Sequence, residues 1–432
     1  MVLKMRKMKD SGIEWIGEIP EGWEVHRVKT HFSIISGSGF KPELQGQSTG
    51  DFPVCKASDI SSSGHYLHTS ANYITSDIVK SQHFSIIPKG SILFAKIGEA
   101  MRKNNRSLCL HDCCVDNNCQ GLVPKNISSE FSYYLFTCID MTWFDNAGTI
   151  PCINNQKLYD CRIPFPSYDE QLLISNHLNF QCAKINEMLF HIRSSIEEYK
   201  KLKQTVITQA VTKGVRGERE MKDSGNPWFG QIPTDWELSR VGLHFSIILG
   251  KMLCNAPLND TYTLEPYYCA ADVHFDGVAD GERKKMWFSP IEKDLYRVSV
   301  GDLLVVEGGA GAGGSAIVEN QDSYTYIQNS IMIVRSKGNA DNRYLRYLLE
   351  FLVKQGYIDV VCNKATIPHF TKDKLSCVPF CLCGEQEEIA DYLDAKCAEI
   401  DKLIAKKEQL VKELESYKKS LIYEVVTGKR EV

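Results

Sequence analysis

No run of about 18 apolar residues occurs anywhere in the 432-residue chain, so no membrane-spanning helix is expected. Charge of one sign is lacking too. Fifty basic residues against 54 acidic ones leave a net charge of −4, which gives no global mark of nucleic-acid binding but leaves room for local basic patches. Glycine and proline, 30 and 15 residues, are not in excess, which excludes a collagen-like or broadly disordered chain. No G-x-x-x-x-G-K-[ST] loop is present, so no nucleoside-triphosphate site of that type is supported. The basic opening Met1–Lys7 runs into Asp10-Ser11-Gly12 instead of an apolar stretch and does not read as a signal peptide. Cysteine, by contrast, is plentiful. Sixteen of them without a secretion signal read as reduced thiols of a cytoplasmic protein. Hydrophobic residues at 43% suffice for several cores, and the length predicts two to four domains.

The chain repeats itself. Residues 8–37 recur as residues 221–250 with about 19 of 30 positions identical, among them Trp15, Pro20, Trp23, His31 and Phe32 as Trp228, Pro233, Trp236, His244 and Phe245. The register persists further on. Pro53, Ala57, Asp59 and Gly64 return as Pro266, Ala270, Asp272 and Gly277, and Gly90, Gly98 and Asn118 as Gly301, Gly309 and Asn329. Thr149-Ile150-Pro151 returns as Thr366-Ile367-Pro368, and Glu170-Gln171 as Glu385-Gln386. A period of more than 200 residues is too long for a solenoid, so each copy is a folded domain with an arm.

Within each globular part, short β-branched and aromatic runs alternate with Gly, Pro, Asn and Ser clusters. Phe32–Ile35, Ser91–Phe94, Leu303–Val306 and Ile331–Val334 read as strands, with short helices expected at 130–142 and 341–355. The arms differ in kind. Apolar residues fall three or four apart from Ile174 to Ala210 and again from Ile389 to Val425, a heptad-like stripe on a long helix. About 42 helical residues extend on the order of 60 Å. Two equal arms in one chain can pair antiparallel. The fold class is therefore α/β (α+β): two globular domains separated by two long antiparallel coiled-coil helices, in an internal pseudo-twofold repeat. The domains fall at 1–167, 168–214 (first helix), 215–380 and 381–432 (second helix).

The order domain, Pro-rich strand, Glu-Gln, long helix, then the same again, resembles the specificity subunit of type I restriction-modification systems. The motifs are Ile163-Pro164-Phe165-Pro166 with Glu170-Gln171 and Gln209-Ala210-Val211-Thr212-Lys213-Gly214, and in the second copy Val378-Pro379-Phe380 with Glu385-Gln386 and Glu424-Val425-Val426-Thr427-Gly428-Lys429. Ile19-Pro20 with Trp23, and Ile232-Pro233 with Trp236, resemble the entry to each target-recognition domain. The resemblance implies a non-catalytic, cytoplasmic subunit in which each globular domain reads one half of a split site on double-stranded DNA. It implies that the helices set the spacing and dock methyltransferase subunits, usually two, and that restriction subunits complete an ATP-dependent nuclease and translocase. S-adenosylmethionine, ATP and Mg would sit on those partners, with no cofactor or metal in this chain. An Asn-Pro-Pro-Tyr tetrad of the adenine-methyltransferase kind is absent.

Such a reader needs cations for phosphates and polar side chains for base edges. The first domain offers Lys96 and the run Arg102, Lys103, Asn104, Asn105, Arg106, which could equally be a solvated loop. The corresponding loop of the second domain, Gly308–Ser315, has no cation; it could bring backbone N–H groups to a phosphate or simply be mobile. Arg283, Lys284, Lys285 and Lys364 are the alternative contacts there. Gly309–Gly314 formally matches G-x-G-x-x-G but leads into another strand-like run, which argues against a dinucleotide site. Ile185, Leu189, Ile196, Ile400, Ile404 and Val411 on the arms are the candidate partner-docking positions. Cys109, Cys113, Cys114 and Cys119 lie close in sequence, but they do not form paired C-x₂₋₄-C knuckles separated by a loop, so free thiols on strands are expected over zinc. The repeated Trp and His residues read as structural. A competing class, a duplicated coiled-coil adaptor that binds proteins without reading DNA, is mildly favoured by the acidic net charge and opposed by the ordered motifs.

Overall fold

The computed structural model describes residues 6–146, 148–320, 324–362 and 368–432. The chain divides into two compact units, one of Met1–Ile192 with Gln409–Val432, the other Arg193–Glu408. Each long helix, Tyr168–Lys213 and Gln386–Val426, contributes one part to each unit.

The first unit is built on a five-stranded sheet in the order Phe32–Ser36, Cys119–Pro124, Ile92–Ala95, Arg106–Cys109, Tyr66–Leu67. Ile92, Phe94, Leu108 and Leu122 face a core shared with Phe131, Leu135 and Phe136 of the helix Ser129–Thr137. The same core takes in Ile174, Leu178, Ile185 and Leu189 from the first long helix, and Leu421, Ile422, Val425 and Val426 from the second. In the second unit the order is Phe245–Leu249, Ile331–Ser336, Leu303–Val306, Ser315–Ile317. Its core joins Leu303, Val305, Met332 and Val334 to the helix Asn342–Lys354 and to Ile207, Val211, Ile389 and Leu393 of the long helices. The central strands Ile92–Ala95 and Leu303–Val306 are buried along their whole length, because both faces are covered.

Within each unit the long helices run antiparallel. In the first, Lys418 donates to Asn186, while Ile174 and Val425 share one cleft. In the second, Lys407 stands over the Tyr199 ring and Lys203 pairs with Asp401 at 2.7 Å. The numbers rise on one helix as they fall on the other.

The Glu-Gln motif anchors the helix starts in both copies. Trp23 Nε1 donates to Glu170 and Trp236 Nε1 to Glu385, each at 2.9 Å, and Arg6 and Arg219 pair with the same carboxylates. The adjacent glutamine reaches the other way: Gln171 accepts from Ser128 N–H at 2.8 Å and Gln386 from Asp341 N–H at 3.0 Å, the residues that cap the domain helices Ser129–Thr137 and Asn342–Lys354. The motif therefore locks each long helix to its own domain. Gly214 (φ +76°) and Gly428 (φ +72°), in the left-handed conformation that favours glycine, come after the ends of the two helices. The second long helix starts at Gln386, later than the expected 381, because Cys381 and Leu382 complete the strand Pro379–Leu382 paired with Glu237–Arg240.

Candidate nucleic-acid interface

In the first domain, Lys96 lies just past the central strand Ile92–Ala95, half-buried, and its ammonium has no ion-pair partner among the described residues. Next comes the short helix Gly98–Arg102. Arg102 is exposed and bonded to Glu99 at 2.7 Å, and Lys103 is exposed with no ion pair among the described residues. Asn105 is exposed and donates to Ser61 at 3.1 Å.

Two members of this run have other work. Arg106 is only 5% exposed and starts the strand Arg106–Cys109. Its guanidinium donates to the carbonyls of Phe136 and Ile139, at and beyond the end of the helix Ser129–Thr137, and to Asn104 Oδ1. Burial lowers its pKa to about 10. Asn104, at φ +58°, also accepts from Met141 N–H. Arg106 and Asn104 thus close the domain core and are withdrawn from the DNA-contact set. Sequence could not separate them from Arg102 and Lys103, because the strand begins inside a polar run.

The second domain also departs from expectation. Gly308–Ser315 is the connection of a hairpin, since Ser315–Ile317 pairs antiparallel with Leu303–Val306. The N–H groups of Gly309, Ala312, Gly313 and Gly314 are spent on Pro368, Gly309, Val306 and Gly311, so these four are not available to a phosphate. Arg283 is largely sequestered, bonded to Asp272 and the Ala279 carbonyl beside the Tyr268 ring. Lys284 and Lys285 are exposed on the strand Lys284–Phe288. Lys364 lies outside the described residues.

The docking positions expected on the arms need the same correction. Ile185, Leu189, Ile196 and Ile400 are buried, and Ile404 and Val411 half-buried, because the stripe is consumed in packing the helices and domain cores. In the first unit the outward side carries a different apolar set: Leu172, Leu173, Phe180 and Phe190, the last 69% exposed.

The remaining singled-out residues are structural. Trp23 and Trp236 are fully enclosed. His31 is buried and shares a 2.7 Å contact with His26, and burial lowers its pKa; His244 meets Ser239 at 2.8 Å. All sixteen cysteines are free, with Cys109, Cys114 and Cys119 buried on strands, and burial pushes the Cys114 thiol up to about 12. Among the described residues no group of three or more His, Cys, Asp or Glu is arranged to hold a metal, and no helix is long and apolar enough to cross a membrane. What sequence reading passed over are the amide side chains beside Lys96, which come from three separate stretches of chain and form no local motif.

Two α/β domains of one design, each locked to the long helices by a Glu-Gln anchor, define a duplicated two-domain scaffold. The model of the type I restriction modification DNA specificity domain matches residues 20–198. The MjaX specificity subunit of a type I restriction enzyme from Methanocaldococcus jannaschii is 27% identical over 442 aligned positions, covering 96% of this chain and 95% of that protein. The MjaIX specificity subunit of the same organism is 26% identical over 264 residues; that match takes in 57% of this chain and 56% of the relative. A chain from a structural study of type I complex assembly and conformational transition superposes with a TM-score of 0.70 at 17% identity, covering 95% of this chain and 99% of that one. The HsdS subunit from Thermoanaerobacter tengcongensis does so at 0.51 and 18%, with 95% and 98% covered. At these identities the structural likeness speaks to the fold. Over nearly its whole length the chain is similar to a specificity subunit of a type I restriction enzyme, and its residues 20–198 match the DNA specificity domain of that family.

Proposed function

We propose that this chain is the DNA-recognition subunit of a type I restriction-modification complex, each globular domain reading one half of a bipartite site. The observation that carries the reading is the duplication: one main-chain frame is built twice, while the side chains and loops it presents differ. A protein that recognises an asymmetric split site needs two readers of one design and unlike surfaces. The paired helices set the gap between half-sites. The exposed face with Leu172, Leu173, Phe180 and Phe190 docks methyltransferase subunits, two per chain, which supply S-adenosylmethionine and the chemistry; restriction subunits would add ATP- and Mg-dependent translocation and cleavage. Only the acidic net charge leans toward the adaptor reading, and the likeness to specificity subunits argues against it.

The test is selection from a random pool of DNA duplexes by this chain co-purified with its adenine methyltransferase. A split asymmetric sequence with a fixed gap is expected, and no methyl transfer from S-adenosylmethionine by the chain alone. A complex that selects no sequence, or one continuous site, overturns the reading.

A further inference from the structure

The central strand of each domain ends in the same frame. Lys96 N–H donates to the Asn118 carbonyl at 2.8 Å, and the Lys96 carbonyl accepts from Ile153 N–H at 2.9 Å. In the second domain Glu307 N–H donates to the Ser330 carbonyl at 2.8 Å, and its carbonyl accepts from Phe370 N–H at 2.6 Å. Ile97 bridges Cys152 as Gly308 bridges His369, and Gly98 N–H meets the Pro151 carbonyl as Gly309 N–H meets that of Pro368. One frame therefore presents an ammonium in the first domain and a carboxylate in the second.

Around Lys96 the frame gathers amides. Asn117 and Asn118 are exposed on the turn before the strand Cys119–Pro124. Asn146, exposed, is held by its N–H to the Cys152 carbonyl and accepts from Asn154 Nδ2 at 2.9 Å. Asn155, half-buried at the start of the helix Asn155–Asp160, accepts at Oδ1 from Gln120 Nε2 at 3.1 Å. Gln120 has no exposed surface, and its own Oε1 has no partner among the described residues. A fully enclosed amide that leaves an acceptor unpaired costs free energy, and what it gains is the orientation of Asn155 at the surface.

In the second domain the same hydrogen-bond frame places Asn329 and Ser330 at Asn117 and Asn118, and the helix starts place Thr371 and Lys372 at Asn154 and Asn155. Glu307 there stands 3.3 Å from the exposed His369. Residues that build the frame, such as Gly98 with Gly309 and Pro151 with Pro368, are unchanged between copies. Those at its mouth change charge and hydrogen-bonding character. A purely structural position gains nothing from replacing lysine with glutamate, whereas two readers of different sequences require it.

We propose that Lys96, Asn118 and Asn155 contact bases of one half-site, with Gln120 positioning Asn155, and that Glu307 and Lys372 do so in the other half. The proposal rests on the DNA-recognition reading above and names the residues that carry its sequence preference. The chemistry is direct: lysine donates to guanine O6 and N7, asparagine pairs in two places with adenine, and glutamate accepts from cytosine N4. Arg102 and Lys103, at the end of the neighbouring short helix, are left to the backbone phosphates.

The complex with the methyltransferase is used for DNA selection with Lys96→Met, Asn118→Ala, Asn155→Ala and Gln120→Met on one side and Glu307→Gln on the other. Each of the first four should relax one or more positions of the same half-site, reducing discrimination about ten- to a hundredfold, and leave the other half unchanged. Gln120→Met should relax the positions that Asn155→Ala relaxes, although Asn155 itself is intact. Glu307→Gln should act on the opposite half only. Lys96→Arg and Asn155→Gln, which keep charge and polarity, serve where a truncation unfolds the chain; they should change the preferred base without abolishing binding. Variants that select the wild-type sequence with uniformly weaker binding would overturn the proposal. A wild-type complex that selects no split sequence would instead sink the recognition reading on which it stands.

Discussion

Arg106 shows how a residue type can mislead and its surroundings correct it. Its guanidinium is enclosed and satisfies the Phe136 and Ile139 carbonyls that end the helix Ser129–Thr137. Replacing it with methionine keeps much of the volume but removes the guanidinium donor from the Ile139 carbonyl, at about 1–3 kcal/mol, while the Phe136 carbonyl keeps the Ile139 N–H. We expect Arg106→Met to lower unfolding free energy by about 1–3 kcal/mol in urea melts and to leave the salt dependence of DNA binding by the assembled complex unchanged. Lys103, exposed and without an ion pair among the described residues, should behave in the opposite way. Lys103→Ala should leave the melt within about 0.5 kcal/mol of wild type and reduce the slope of log K against log salt by about 0.9 for a lost phosphate contact. A changed slope in Arg106→Met with an unchanged melt would reverse the assignment.

At the scale of elements, the Glu-Gln anchor couples each long helix to its domain, and Glu385 gives it a pH dependence. Burial acts to raise the Glu385 pKa, but the bonds from Arg219 and Trp236 outweigh it and hold the carboxyl below the usual range. A depressed folded-state pKa contributes stability that is present above the unfolded value of about 4.3 and is lost as pH falls through the folded value. Glu385→Gln should therefore be less stable than wild type at pH 7, and the gap between the two melts should narrow steadily as pH drops below about 4. A gap constant from pH 7 to pH 3 would show that the carboxylate charge contributes nothing to the anchor. These anchors are legible in the sequence because each is a short run of distinctive residues that occurs twice. The strands around Leu303–Val306 and Ile331–Ser336 are legible for the same reason, being local and apolar. The amide surface is not. Asn118, Asn146 and Asn155 are ordinary turn and cap residues when taken singly, and their segments meet through the backbone bonds of Lys96 to Asn118 and Ile153 and of Asn146 to Cys152. Nor does an apolar stripe say whether it faces a partner or its own chain, which is why Ile185 and Leu189 read as docking positions in the sequence and lie in the core of the fold.

For the whole molecule, the question is whether the long helices measure the DNA site. Their pairing gives a matched cut. Within the second unit Tyr199 lies under Lys407, so Glu197–Lys200 on the first helix face the stretch Ile404–Lys407 on the second. Deleting both four-residue segments shortens each helix by about 6 Å and turns the remainder of each helix by about 40°, since four residues slightly exceed a turn of 3.6. It leaves the Lys203–Asp401 pair beyond the cut. DNA rises about 3.4 Å per base pair, so the gap between half-sites should shrink by one or two base pairs. The half-site sequences should not change, because no residue of either globular domain is touched. The measurement is single-molecule sequencing of methylated adenines in cells that carry the double deletion with its methyltransferase, together with DNA selection by the purified complex. An active variant that keeps the original gap would show that the helices do not set the spacing. An altered half-site would show that they take part in reading it. Binding that survives in selection while methylation is lost in cells would separate the two roles of the helices, spacing the readers and seating the methyltransferase, because only the second requires the exposed face around Phe180 and Phe190 to keep its angle to the DNA.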